Sequence, residues 1–223
     1  MEINETQQKT PARRHRSAVV LLSQILSDVF SPLMVPTYAM IFASWTTVLC
    51  LLPLRSRIYA TLAVTGLTAI LPLLFIALLI NAGKVSDRSI SRRSERFIPF
   101  MFIIGCYLAT AVYTSHIHAP QWLVLFYVGA MAMSLIAMAI TRFWKISAHA
   151  GALGGLTGFV FFLALHGVVV RTPLVWMAVA VLLTGCMASA RLVLHRHTPA
   201  QVVAGALLGF AVMYITQTIP TLL

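Results

Sequence analysis

Three short stretches of this 223-residue chain hold the side chains able to do chemistry. In the third, Ser189 to Gly205, His197 precedes a long apolar run, and Gln201 lies one helical turn further on the same face. The Gln201 amide oxygen is placed to accept a hydrogen bond from one imidazole nitrogen and so fix the tautomer, which leaves the other nitrogen able to attack an electrophile. Arg191 adds a planar fork of donors suited to phosphate-like oxygens. His195 and Arg196, between them, read as a solvated rim.

In the second stretch, Arg142 to Gly155, His149 stands at the start of another apolar run. Unpaired N–H groups and the positive end of a helix dipole favour an anion there, and Ser147 adds a hydroxyl donor. Gly151, Gly154 and Gly155 read as a surface for close helix packing. The first stretch, Lys84 to Arg96, is the densest in charge. Arg93 and Arg96 are spaced to share a helical face, and Asp87 and Glu95 are too few to neutralise its cations. Taken alone, this stretch would also serve as an anchor for lipid headgroups.

The charge balance narrows the chemistry. Sixteen Lys and Arg stand against five acids, a formal net charge of +11. The acids are Glu2, Glu5, Asp28, Asp87 and Glu95, so no carboxylate follows residue 95. Paired-carboxylate hydrolysis and carboxylate-built sites for hard metals are thereby excluded from the C-terminal half. The positive excess points to an anionic ligand at a membrane, not to nucleic acid. Cys50, Cys106 and Cys186 sit in separate apolar runs and read as small core hydrophobes. A zinc site drawn from His116, His118, His149, His195 and His197 is disfavoured, because His116 and His118 fall on the opposite membrane face. His166 reads as a hydrogen-bond donor between helices.

These groups must be positioned by membrane helices. The chain is 60% hydrophobic and only 9% charged, with a mean hydropathy of +0.91, which excludes an ordinary soluble globule. The expected fold is all-α: a polytopic membrane bundle of six to seven transmembrane helices. Residues 1–17 form a basic polar tail, and 18–223 a single transmembrane domain with its motifs between 84 and 205. The run behind the tail is longer than a signal peptide's and lacks a clear cleavage site, so it is expected to stay in the mature protein. An interfacial helix is expected over 18–29, a first span over 31–53 and a second over 58–81, stopped by Asn81 and Gly83. Two spans fit between Phe97 and Thr141, two more between Ala150 and Ala190, and a last over 199–218, with Thr198 as N-cap and Pro199 at the first helical position. An even number of spans then separates each polar stretch from the next. All three emerge on one face, together with every Lys and Arg except Arg55, Arg57 and Arg171. The expected location is the inner (plasma) membrane, spanned several times.

The ordered set of a basic run, Ser147-Ala148-His149 opening one helix, and Arg191 followed by His197 and Gln201 opening another resembles the type 2 phosphatidic acid phosphatase superfamily, the integral-membrane lipid phosphate phosphatases. That family's signatures are a Lys-x6-Arg-Pro run, a Pro-Ser-Gly-His turn and Ser-Arg-x5-His-x3-Asp. Here Ile146 and Ala148 replace the Pro and Gly of the second, Ala190 precedes Arg191, and Gln201 stands where the family has Asp. The resemblance implies a membrane phosphatase acting on a lipid phosphate or diphosphate without metal or cofactor. His197 would attack phosphorus to give a phosphohistidine, His149 would protonate the leaving alcohol, and Gln201 would orient His197. Arg191, Ser147, Arg96, Arg93 and Lys84 would bind the phosphate. The same residues leave room for a lipid phosphotransferase, or for a degenerate binder or transporter of lipid phosphates. The partners implied are the lipid substrate and the surrounding membrane lipids.

Overall fold

A computed structural model describes residues 11–86, 95 and 97–219. The chain forms α1 (Pro11–Val29), α2 (Val35–Thr46), a 3-10 turn (Val48–Leu51), α3 (Leu54–Thr65), a π turn (Gly66–Ile70), α4 (Leu71–Asn81), α5 (Phe97–His116), α6 (Gln121–Thr141), α7 (Ala148–Leu165), α8 (Pro173–Val193) and α9 (Pro199–Thr218). Among the described residues there is no strand. Six helical stretches are long and apolar enough to cross a membrane: Leu54–Asn81 and each of α5 to α9. The protein is an all-helical, multi-pass membrane protein.

The span expected over 31–53 is not a continuous helix. The 12 residues of α2 rise only about 18 Å against a hydrocarbon core of about 30 Å. At Thr47 the backbone turns extended, and the hydroxyls of Thr46 and Thr47 fold back onto the carbonyls of Phe42 and Ala43 at 2.7 and 2.6 Å. Threonines that bond their own backbone in this way compete with helix continuation. The end of α2 is tied to the α7–α8 loop by Val170 N–H donating to Thr46 O at 2.9 Å.

The interfacial helix starts at Pro11 instead of Ala18. Its pattern over 18–29 is inverted: Leu21, Leu22, Ile25 and Val29 are exposed, while Ser23 and Ser27 are buried. Apolar side chains face lipid and small polar ones face the protein, where the Ser27 hydroxyl lies 3.9 Å from Met187 Sδ on α8. The second span begins at Leu54, earlier than expected. It is interrupted by the π turn just before Pro72, whose ring cannot donate a bond and would clash with the carbonyl four residues back. The stop at Asn81 and Gly83 is as expected: Gly83 takes φ +68°, with Gly83 N–H on Ile80 O and Lys84 N–H on Leu79 O.

At the centre lies α7, most of whose residues are buried, with Leu153, Phe159 and Leu163 packed into a core shared with α2, α6 and α8. Its partner α9 runs parallel and very close. A Cβ at Gly205 would stand 2.6 Å from Ser147 O, and Cβ atoms at Gly154 and Gly209 would overlap the carbonyls of Ala206 and Gly151. These glycines let two helix backbones touch, the packing role expected for Gly154 and, beyond the expectation, filled by Gly205 and Gly209 on α9 as well. Both helices therefore begin side by side on the same face.

Candidate active site

The start of α7 is built by Ser147, whose side chain accepts from Ala150 N–H at 3.4 Å as an N-cap. Ser147 N–H donates to Gln201 O at 3.3 Å, joining the first turns of α7 and α9. The start of α9 is a capping box: Thr198 Oγ1 accepts from Gln201 N–H at 3.4 Å, and Gln201 Oε1 accepts from Thr198 N–H at 3.2 Å. That second bond decides which way the Gln201 amide points, since a backbone N–H requires an acceptor. The same Oε1 lies 3.2 Å from His197 Nδ1. Nδ1 must then carry the proton, and the lone pair of the neutral ring falls on Nε2.

His149, on the first turn of α7, is half-buried. Its ring faces the main-chain carbonyl of Ser27 near the end of α1, and Arg191 and His197 lie within electrostatic reach of it. Arg191 is in the last turn of α8. That helix ends with His195 in the left-handed region at φ +50°, His195 N–H on Leu192 O and Arg196 N–H on Arg191 O. This is the hydrogen-bond pattern that usually has glycine at the left-handed position. His118 ends α5 by the same device, with His118 N–H on Ser115 O and Ala119 N–H on Thr114 O. Two of the histidines in the zinc alternative thus serve as helix stops.

His149, Arg191, Arg196 and His197 line one cavity of about 250 Å³. Its polar end is completed by Gln24, Ser27 and Asp28 of α1. Its other walls are apolar and come from α2, α4, α5, α6 and α9, among them Val35, Ile76, Phe100, Ile103, Phe126 and Met213. The α7 and α9 N-termini direct the positive ends of their dipoles at the polar end, where two guanidinium groups add charge. An anion with an apolar tail matches this division.

Gln201 sits behind His197, off the cavity wall, with Oε1 against Nδ1, the contact its spacing predicts. Expectation and geometry differ at other positions. Ser147 is fully buried, does not line the cavity and is used as a helix cap. Lys84 is exposed and away from the cavity, its backbone terminating α4, so it is not placed to bind phosphate there. Arg93 and Arg96 lie outside the described residues. Glu95 accepts bonds from the Ser86 N–H and hydroxyl. Arg196 is exposed, as a rim residue would be, and also lines the cavity. The helix stop at His195 turns the chain back, a signal hidden because the sequence has no glycine there. The α1 contribution was missed as well, although an acid and a proline interrupting an apolar run, Asp28 and Pro32, marked the spot.

Residues 140–222 match the family model of the PAP2 superfamily, a superfamily of phosphatases. No curated protein and no solved structure matches the chain. The matched stretch contains His149, Arg191, Arg196, His197 and Gln201, but neither α1 nor the 84–96 loop.

Proposed function

From the premise that residues 140–222 are a PAP2 superfamily segment, we propose that the protein is a membrane phosphatase that releases phosphate from a lipid phosphate through a phosphohistidine. Nε2 of His197 attacks phosphorus as the bond to the lipid alcohol breaks, and His149 gives its proton to the departing oxygen. Water then enters on the vacated side and loses a proton to His149. It displaces His197 from phosphorus, which releases inorganic phosphate and restores both rings. Phosphoryl transfer of this kind needs in-line positioning and positive charge more than covalent assistance. Arg191 and Arg196 supply guanidinium donors to the non-bridging oxygens, and the starts of α7 and α9 add their dipoles.

The observation that carries this reading is the single cavity onto which both histidines and both arginines face, polar at one end and apolar at the other. The apolar end suits a lipid tail, whose burial contributes about 0.8 kcal/mol per methylene. Gln201 keeps the orienting function of the family's Asp but not its charge. The imidazolium that forms as His197 becomes phosphorylated is therefore less stabilised, which predicts a slower enzyme.

The test is phosphate release in detergent from phosphatidic acid, phosphatidylglycerophosphate and a prenyl diphosphate. His197→Ala is expected to lower turnover by at least about 10³-fold. Turnover that survives this substitution would remove the nucleophile assignment and the mechanism with it.

A further inference from the structure

We propose that Asp28 sets the leaving-group preference of this cavity, favouring phosphomonoesters whose alcohol carries a hydroxyl or amine donor and disfavouring diphosphates. The proposal rests on the phosphatase reading above and deepens it. Among the described residues lining the cavity, Asp28 is the sole carboxylate, set in an otherwise basic polar end. It lies at the exposed edge of the cavity, where Gln24 Nε2, one helical turn earlier, donates to Asp28 Oδ1 at 2.9 Å.

The side of the cavity it occupies follows from its neighbour. The carbonyl of Ser27 faces the ring of His149, the proposed proton donor to the departing oxygen, and Asp28 is the next residue of α1. In the in-line displacement proposed above, His197 and His149 act from opposite sides of phosphorus. Asp28 therefore lies on the leaving-group side. That side is rich in acceptors, with a carboxylate and the carbonyl-bearing C-terminal end of α1, whose dipole is negative. The rest of the polar end carries the opposite sign, with the starts of α7 and α9 and two guanidinium groups.

A leaving alcohol with a hydroxyl or ammonium group finds an acceptor in Asp28. A diphosphate must instead place its departing phosphate, itself anionic, against this carboxylate. A charge-assisted hydrogen bond gained by one substrate and a like-charge contact borne by the other together separate the two by about tenfold or more.

The experiment compares phosphatidylglycerophosphate, whose terminal glycerol has a free hydroxyl, with farnesyl diphosphate, using wild-type protein and the isosteric Asp28→Asn in detergent. The ratio of their kcat/KM values is expected to fall by about tenfold or more in Asp28→Asn. A ratio equal to that of wild type, whatever happens to the absolute rates, would overturn the proposal. His197→Ala on the same substrates judges the phosphatase reading separately. If wild type turns over neither substrate, the preference is read from thermal stabilisation by glycerol 3-phosphate against pyrophosphate. A shift towards pyrophosphate in Asp28→Asn upholds the assignment, and an unchanged preference rejects it.

Discussion

Replacing Gln201 separates the two things its side chain does. Its Oε1 accepts from Thr198 N–H and lies at the same 3.2 Å from His197 Nδ1. Gln201→Ala removes half of the capping box, which costs about 1 kcal/mol of stability and lowers Tm by a few degrees. It also removes the acceptor that orients His197. In the ground state that bond is neutral and contributes about 1 kcal/mol, whereas to the imidazolium forming in the transition state it contributes about 1.5–3 kcal/mol. Only the difference, about 0.5–2 kcal/mol, acts on kcat, which at about 1.4 kcal/mol per factor of ten should fall about two- to thirtyfold. Gln201→Glu keeps both acceptor contacts and adds a charge that stabilises the imidazolium. Its kcat should equal or exceed that of wild type, with the helix cap intact. The assay is phosphate release under saturating lipid, beside a thermal melt of each variant in the same detergent. Gln201→Ala within twofold of wild-type kcat, or Gln201→Glu inactive but as stable as wild type, would refute the orientation argument.

Two further outcomes follow from the geometry. Lys84→Ala should leave kcat/KM within about twofold, because the side chain is exposed and away from the cavity, whereas Arg196→Ala should lower it by about tenfold through loss of a charged donor to phosphate; lipid titrations of both variants check this. Gly154→Leu would drive a side chain into the Ala206 backbone, destabilise the protein by about 1–3 kcal/mol and spread the starts of α7 and α9, so activity should fall with Tm. Gly185→Ala, which meets nothing within 4 Å on α8, should change neither.

What the sequence made legible was what local pattern determines. The apolar runs from 97 to 218, the stop at Asn81 and Gly83, and the Thr198-Pro199 start of α9 are each fixed by composition or by a short backbone motif, and each stands close to where it is expected. The parity of spans between polar stretches brought His149, Arg191 and His197 to one face because it needs only a count. Failures came where a single residue overrode the average. Thr46 and Thr47 break an apolar run that hydropathy alone reads as a span. His195 fills a position where pattern reading expects glycine, which concealed the turn that brings Arg196 to the cavity. Helix α1 reads as amphipathic, but an amphipathic helix in a membrane protein can bury its polar side. Which side Asp28 faced depended on packing against α8, a long-range fact that no local pattern encodes.

The charge distribution of the cavity divides along the chain. In the function proposed above, the described residues that would seat phosphate all fall within 140–222: the parallel starts of α7 and α9, held together by glycine contacts, and the guanidinium groups at the end of α8. These supply positive charge whatever alcohol is attached to the phosphate. The proposed leaving-group side is lined by α1, which belongs to a different part of the chain and touches α8 where Ser27 meets Met187. The phosphate chemistry and the discrimination among its alcohols can thus change independently. A substitution on α1 alters what leaves without moving the histidines, whereas one at the α7–α9 contact disturbs the reacting groups themselves. On that division, a match confined to the C-terminal segment points to phosphatase-type activity and leaves the alcohol unspecified.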